Sequence, residues 1–256
     1  MSARRHDRRE MSLRAKLSLP EDAAPPWSLP SAVLTAAVLL ICLILVGPAL
    51  ASLLLGSQAV SPFLLMLSWA LGMGLCLAFV WVNRRSSPAS RAALRLSPGR
   101  LPRPLVLLLG VAIALAIDLA VNLASGQFLP VPEIYGFQSR GTASIVLAAL
   151  LLILLQPLAE SLVFQAILLP SLRWSLGPWP GVLVTSTLFV ILHLLVFWTA
   201  YATTYDLAWH GLVYPALLAF AFCLLRVYTG SSSAVIIARA GAGLMFFLTA
   251  LALFGA

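Results

Sequence analysis

"ASIVLAALLLILLQPLAESLVFQAILL", residues 143–169, contains a single charged side chain, Glu160. A helix needs about 20 apolar residues to cross the hydrocarbon of a bilayer, so this stretch predicts a membrane span. It also contains Pro157, whose ring disturbs the preceding turn and which we expect to free the carbonyl of Ile153. An acid and a helix breaker at membrane depth are costly, and irregular backbone is tolerated there only beside protein or a water-filled cavity. Glu160 is therefore the first candidate for a functional side chain.

The composition extends this prediction to the whole chain. Of the 256 residues 61% are hydrophobic and only 9% are charged, whereas about a quarter are charged in a soluble globular domain. We predict an all-α polytopic membrane protein with seven transmembrane helices, at about 33–55, 62–82, 104–125, 143–169, 181–198, 207–226 and 233–254. The first apolar run, residues 32–55, is too long for the apolar region of a cleaved signal peptide, so we interpret it as an uncleaved span.

The net charge is +8, and the distribution of the basic residues along the chain predicts the topology in the membrane. With the N-terminus inside, fourteen of the sixteen basic residues are cytoplasmic: six in residues 1–31, six in residues 84–103, and Arg173 and Arg226. The outer loops hold only Arg140. This is the positive-inside pattern of an integral, multi-pass protein. It implies contact with the lipid bilayer and gives no case for nucleic acid as a partner.

Three parts follow along the chain. Residues 1–31 form a cytoplasmic, partly disordered tail with mixed charge and no apolar periodicity. Residues 32–103 contain two N-terminal spans and a basic cytoplasmic loop, and residues 104–256 form the membrane core. Fifteen Arg against one Lys is typical of a GC-rich genome, so we expect a bacterial plasma membrane.

Ionisable residues inside spans are functional candidates by default. There are four: Asp118, Glu160, His193 and Arg239. Asp118 and Asn122 share a helix face at i, i+4, and we prefer an interhelical hydrogen-bonding pair for them. His210 lies near the outer end of its span, where it is expected to reach the interface.

Glu160 and His193 lie on the fourth and fifth predicted spans, and Phe189 shares a face with His193 at i, i+4. We predict that Glu160 and His193 face each other in a polar cavity between these two spans, with Phe189 packed beside the imidazole. An acid and an imidazole together can activate water: the acid takes the proton, and the imidazole orients the water or stabilises the oxyanion. The alternative is that both residues are structural, with Glu160 held in an ion pair and His193 held by a hydrogen bond.

Three segments resemble one family: "PLAESLVFQAILLP" (157–170), "FVILH" (189–193) and "YTGSSSAVIIARAGAG" (228–243). They are similar in order and spacing to the CPBP family of intramembrane proteases, named for CAAX-prenyl proteases and bacteriocin-processing enzymes. The resemblance covers roughly residues 140–250 and implies a CPBP-type helical core. The family carries Glu-Glu-x-x-x-Arg, Phe-x-x-x-His and, after a Thr-Gly-Ser turn, His-x-x-x-Asn.

The first two motifs match in part. Glu160 falls on the first Glu, which the resemblance makes the catalytic general base, and Phe189 and His193 match the second motif. Ser161 replaces the second Glu and Gln165 replaces the Arg. Because both charges of an i, i+4 ion pair are lost together, we predict a neutral, hydrogen-bonding pair in their place.

The third motif keeps its Thr-Gly-Ser turn at residues 229–231, but Arg239 stands where the His is expected and Gly243 where the Asn is. The resemblance implies that Arg239 and Gly243, like Ser161, Gln165 and Phe189, line or support the site near Glu160. We predict that Arg239 lies within salt-bridge or one-water reach of Glu160, with Gly243 leaving room for it. A guanidinium at this position would stabilise the ionised carboxylate and so make Glu160 a weaker base. The alternative is that Arg239 reaches the headgroups, because it lies near the cytoplasmic end of its span.

Three functions remain open. The first is a CPBP-type intramembrane glutamate endopeptidase that cleaves membrane-associated peptides, impaired by the replaced motif residues, since one lost oxyanion donor costs about 10²–10³ in rate. The second is a non-catalytic relative that binds a membrane protein or peptide in the former active-site cavity. The third, a small transporter, is suggested only by the intramembrane charges. We expect no cofactor and no metal, because catalytic zinc needs three protein ligands and only Glu160 and His193 are suitably placed.

Overall fold

The computed structural model describes residues 11–21, 23–56, 61–84, 86–99, 101–126, 141–198 and 203–254. These residues form helices and connecting turns, without a strand among them. In chain order the helices are α1 (Leu13–Ser18), α2 (Leu29–Leu55), α3 (Pro62–Arg84), α4 (Pro88–Ala93), α5 (Arg103–Ser125), α6 (Thr142–Leu176), α7 (Pro178–Phe197), α8 (Thr204–Thr229) and α9 (Ser232–Leu253). All except α1 and α4 are long and apolar enough to cross a membrane, which confirms the predicted all-α fold with seven spans.

The helices α2, α6 and α8 continue through interior prolines without breaking. The described residues include four π-helical segments, each of which ends two residues before a proline: Cys42–Val46 before Pro48, Leu150–Leu155 before Pro157, Ser161–Leu168 before Pro170 and Leu207–Val213 before Pro215. In each case the residue before the proline donates its N–H to the carbonyl five residues back, as Gln156 does to Leu151. The wider turn moves the proline ring away from the carbonyl with which it would clash in a regular α-helix. The chain therefore runs through Pro157 as one helix, α6.

Glycines bring α9 against α5. A Cβ added to Gly110 of α5 would overlap the carbonyl oxygen of Ala238, and one added to Gly241 of α9 would overlap that of Leu107. Small residues allow such close approach of two backbones in a membrane, where packing rather than the hydrophobic effect drives helix association. The contact fixes α9 at the residue next to Arg239.

The first two spans pack onto α6. Residues of α2, α3 and α6 belong to one continuous buried apolar cluster, which includes Leu43, Trp69 and Val163. The domain boundary that we predicted at residue 104 stays a prediction. In space the two N-terminal spans form walls of the candidate site described below.

Arg95 and Arg173 meet at one end of the bundle through a shared acidic partner. Arg173, at the end of α6 and 2% exposed, donates to the carbonyl oxygens of Leu19 (2.7 Å) and Pro178 (3.0 Å). Glu21 pairs with Arg173 at 3.1 Å and with Arg95 of the loop before α5 at 3.3 Å. Residues 11–21 of the predicted tail thus pack against the bundle, while residues 1–10 and Arg140 lie outside the described residues. The side of the membrane that this end faces stays a prediction from the charge pattern.

Candidate active site

Glu160 is buried near the middle of α6, with 1% of its surface exposed. It ends a short α-helical stretch, Gln156–Glu160, that lies between the two π-helical segments of this span. Wide turns of this kind occur frequently at functional sites, since they rotate side chains away from their regular positions. A buried carboxylate requires partners, because removing an unpaired charge from water is very costly.

The first partner is Arg239 of α9. Its Nη2 donates to Oε2 of Glu160, which confirms the predicted pair. The guanidinium is 5% exposed and lies between two aromatic rings, with Cζ 4.7 Å from the ring centre of Phe189 and 5.1 Å from that of Phe222. Two cation–π contacts and an ion pair therefore hold Arg239 inside the bundle, and it does not extend to the headgroups.

The second partner is His193 of α7, as predicted. Its Nε2 lies 4.0 Å from Oε1 of Glu160, and its ring packs against that of Phe189 at a centroid distance of 4.1 Å and an interplanar angle of 33°. Nδ1 lies 3.2 Å from the carbonyl oxygen of Phe189. A carbonyl only accepts, so this contact assigns the proton of the neutral imidazole to Nδ1. Nε2 then faces the carboxylate as an acceptor.

A small cavity lies beside Glu160. Its volume is about 10 Å³, room for about one water molecule. Its polar lining comes from Gln156 and Glu160. The remaining lining residues are apolar or aromatic: Leu43, Trp69, Met73, Leu151, Leu192, Val196 and Phe197. We expected a polar cavity between the fourth and fifth spans, whereas the cavity has largely apolar walls supplied also by α2 and α3.

Gln156 also belongs to the site, although none of the three motif segments includes it. Its Nε2 donates to Oε1 of Glu160 at 3.0 Å. It lies one helical turn before Glu160, at the i, i+4 spacing at which side chains on a helix meet. A polar residue at that spacing from an intramembrane acid was the available signal.

Ser161 and Gln165 are fully buried, but they do not form the predicted hydrogen-bonding pair. Within the described part of the chain, neither the Ser161 hydroxyl nor the two polar atoms of the Gln165 amide has a hydrogen-bond partner. Gln165 lies beside Cys223 of α8, so its side chain extends to another helix instead of back to Ser161. The i, i+4 spacing predicted proximity, but packing across helices decided the direction of the side chain.

Gly243 lies one turn beyond Arg239. A Cβ at this position would overlap the carbonyl oxygen of Leu152 on α6. The space that this glycine leaves is thus occupied by the backbone of α6, which holds α9 close to the segment carrying Glu160.

A second polar cluster lies between α5 and α8. His210 Nε2 is 3.4 Å from Oδ1 of Asn122, so Asn122 joins two helices as expected for an interhelical hydrogen bond. His210 itself is buried, which corrects the expectation that it reaches the interface. Among the residues that the structure describes, neither cluster brings together three His, Cys, Asp or Glu side chains that would hold a metal ion.

Comparison with known protein families gave a match over the part of the chain that contains this site. Residues 142–245, which run from the start of α6 into α9, match the family described as Type II CAAX prenyl endopeptidase Rce1-like. Comparisons with curated proteins and with solved structures gave no significant match. The match spans all three segments on which the resemblance was based, and it includes Glu160, His193 and Arg239. Residues 142–245 are therefore similar to the Rce1-like type II CAAX prenyl endopeptidases.

Proposed function

We propose that this protein is an intramembrane endopeptidase that cleaves membrane-associated peptides with a water held between Glu160 and His193. The observation that carries the proposal is the 4.0 Å separation of Glu160 Oε1 and His193 Nε2. Both atoms are acceptors, and they are too far apart for a direct hydrogen bond. A water can donate one hydrogen to each, and the cavity beside Glu160 has room for about one water.

The reaction that follows is peptide hydrolysis. As the water oxygen bonds to the peptide carbonyl carbon, its O–H bond breaks and the proton passes to Oε1 of Glu160. The electrons of the carbonyl double bond move to the carbonyl oxygen and form an oxyanion. When the C–N bond breaks, Glu160 returns the proton to the leaving nitrogen. The products are a carboxylic acid and an amine, and Glu160 is again a carboxylate.

Arg239 leaves this chemistry possible on one side of the carboxylate. A carboxylate offers about four acceptor positions on its two oxygens. Arg239 occupies a position on Oε2, whereas His193 lies on the side of Oε1. The ion pair still stabilises the charged ground state, and Gly243 supplies no donor for an oxyanion. For these two reasons we propose that the enzyme is slow. The charge pattern and the high Arg content also favour a bacterial plasma membrane, with the N-terminus in the cytoplasm.

The test uses the full chain in lipid nanodiscs, with a library of fluorogenic peptides that includes prenylated and unprenylated members. Wild-type protein should cleave some members, and Glu160→Gln should abolish this cleavage while the protein stays folded. Asp118→Asn makes the same carboxylate-to-amide change in another span, so it serves as the matched control and should cleave normally. If wild type cleaves no member, or if Glu160→Gln cleaves as wild type does, the proposal fails. Tight binding of a peptide without cleavage would then indicate a non-catalytic relative.

A further inference from the structure

Gln156 contacts the proposed base at the oxygen on which hydrolysis depends. Its Nε2 donates to Oε1 of Glu160 at 3.0 Å, and Oε1 is also the oxygen that faces His193. Gln156 and Glu160 are the polar residues that line the small cavity. The donor and the base therefore meet at Oε1, and both residues line the space that has room for a water.

Two donors hold the carboxylate from opposite sides. The terminal torsion of a Glu side chain is broad, so a free carboxylate rotates over a wide range of orientations. Arg239 binds Oε2 and Gln156 binds Oε1, which fixes the plane of the carboxylate. An oxygen of a carboxylate accepts two hydrogen bonds, so Oε1 can accept from a water while it accepts from Gln156.

The position of Gln156 follows from the proline after it. Its backbone N–H donates to Leu151, five residues back, in the widened turn that Pro157 imposes. The direction of the Gln156 side chain is thus set by the backbone of α6. A carboxamide at this position also donates to the carboxylate without adding a charge to a buried site.

We propose that Gln156 is a positioning residue: it turns Oε1 of Glu160 toward the cavity so that this oxygen takes the proton of the attacking water. The inference rests on the proposed endopeptidase function and deepens it. It also assigns different roles to the two donors, since Arg239 anchors the carboxylate and Gln156 aims it.

The test compares Gln156→Met with wild type, with Glu160→Gln and with Asn122→Leu, each as the full chain in nanodiscs with one cleaved fluorogenic peptide. Gln156→Met keeps the length of the side chain and removes the donor. Its kcat should fall about 10- to 100-fold, the size of one hydrogen bond to a charged group, while KM stays within about twofold, because ground-state peptide binding is untouched. Asn122→Leu removes a carboxamide that bridges α5 and α8, so it controls for loss of stability and should keep the wild-type kcat.

The outcomes separate the two proposals. Cleavage by wild type but not by Glu160→Gln, with the wild-type kcat in Gln156→Met, would overturn the role of Gln156 alone. So would a loss of activity that only parallels the loss of folded protein. If Gln156→Met does not fold, Gln156→Asn, one methylene shorter, carries the same expected fall in kcat. If wild type cleaves no peptide, both proposals are overturned.

Discussion

Arg239 and Glu160, 79 residues apart in the sequence, form a buried ion pair between the last span and the fourth. Each group would be very costly to bury alone, and each makes the other tolerable. In place of the third-motif His of related proteins, this chain has a cation that is clamped between Phe189 and Phe222. The pair therefore stabilises the candidate site and also restricts what Glu160 can do.

Removing the cation should destabilise the protein. Arg239→Ala leaves Glu160 charged and buried with its strongest partner gone, so the free energy of unfolding should fall by about 3–5 kcal/mol. Chemical unfolding in detergent, followed by tryptophan fluorescence, measures this change. The double variant Glu160→Gln/Arg239→Gln has no buried charge at this position and should recover part of the loss. If Arg239→Ala were as stable as wild type, the pair would not be an important contact.

Gly243→Ala should also destabilise the protein, for a steric reason. The new methyl group would overlap the carbonyl oxygen of Leu152, so α9 would have to move away from α6. Forcing extra volume into a packed interface costs about 1–3 kcal/mol or more. Gly74→Ala is the matched control, since a Cβ at that position meets no atom within 4 Å. Gly74→Ala should be about 1 kcal/mol more stable, through the higher helix propensity of Ala. Equal unfolding midpoints for the two variants would contradict the close approach of α9.

The number and order of spans could be predicted because hydropathy over about 20 residues reflects the thickness of the bilayer. Whether the helix breaks or continues at Pro157 could not be predicted. The sequence shows where a regular turn fails, but whether the helix breaks or widens depends on what packs around it. In this protein the chain stays helical on both sides of the proline, so the widened turn keeps α6 continuous.

The contacts of the ionisable site residues could be predicted because a buried charge requires a partner. Glu160, His193 and Arg239 are costly in a membrane, so their contact follows from the shortage of other partners. Ser161 and Gln165 are neutral, and no comparable penalty fixes their contacts. The apolar cavity walls come from Leu43, Trp69 and other residues distant in sequence, and only the packing of α2 and α3 against α6 brings them to Glu160.

The orientation in the membrane is open to a direct test. In a variant without Cys42, Cys76 and Cys223, single cysteines replace Ser87 or Ser139. The positive-inside pattern places Ser87 in the cytoplasm and Ser139 outside. A membrane-impermeant maleimide added to intact cells should therefore label position 139 and leave position 87 unlabelled until the cells are opened. Labelling of both positions from the same side would overturn the predicted topology.

The tail should be released when Arg173 is removed. This buried guanidinium donates to Leu19 and pairs with Glu21, so it ties residues 11–21 to the end of α6. In Arg173→Ala the carbonyl of Leu19 loses its donor, which lowers the free energy of opening the tail by about 1–3 kcal/mol. Because proteolysis tracks the population of the open form, trypsin should cut after Lys16 about 5- to 150-fold faster, measured by mass spectrometry of the fragments. Arg91→Ala removes an exposed arginine of α4 and should be cut as slowly as wild type. Equal cleavage rates in Arg173→Ala and Arg91→Ala would show that the tail is held by other contacts.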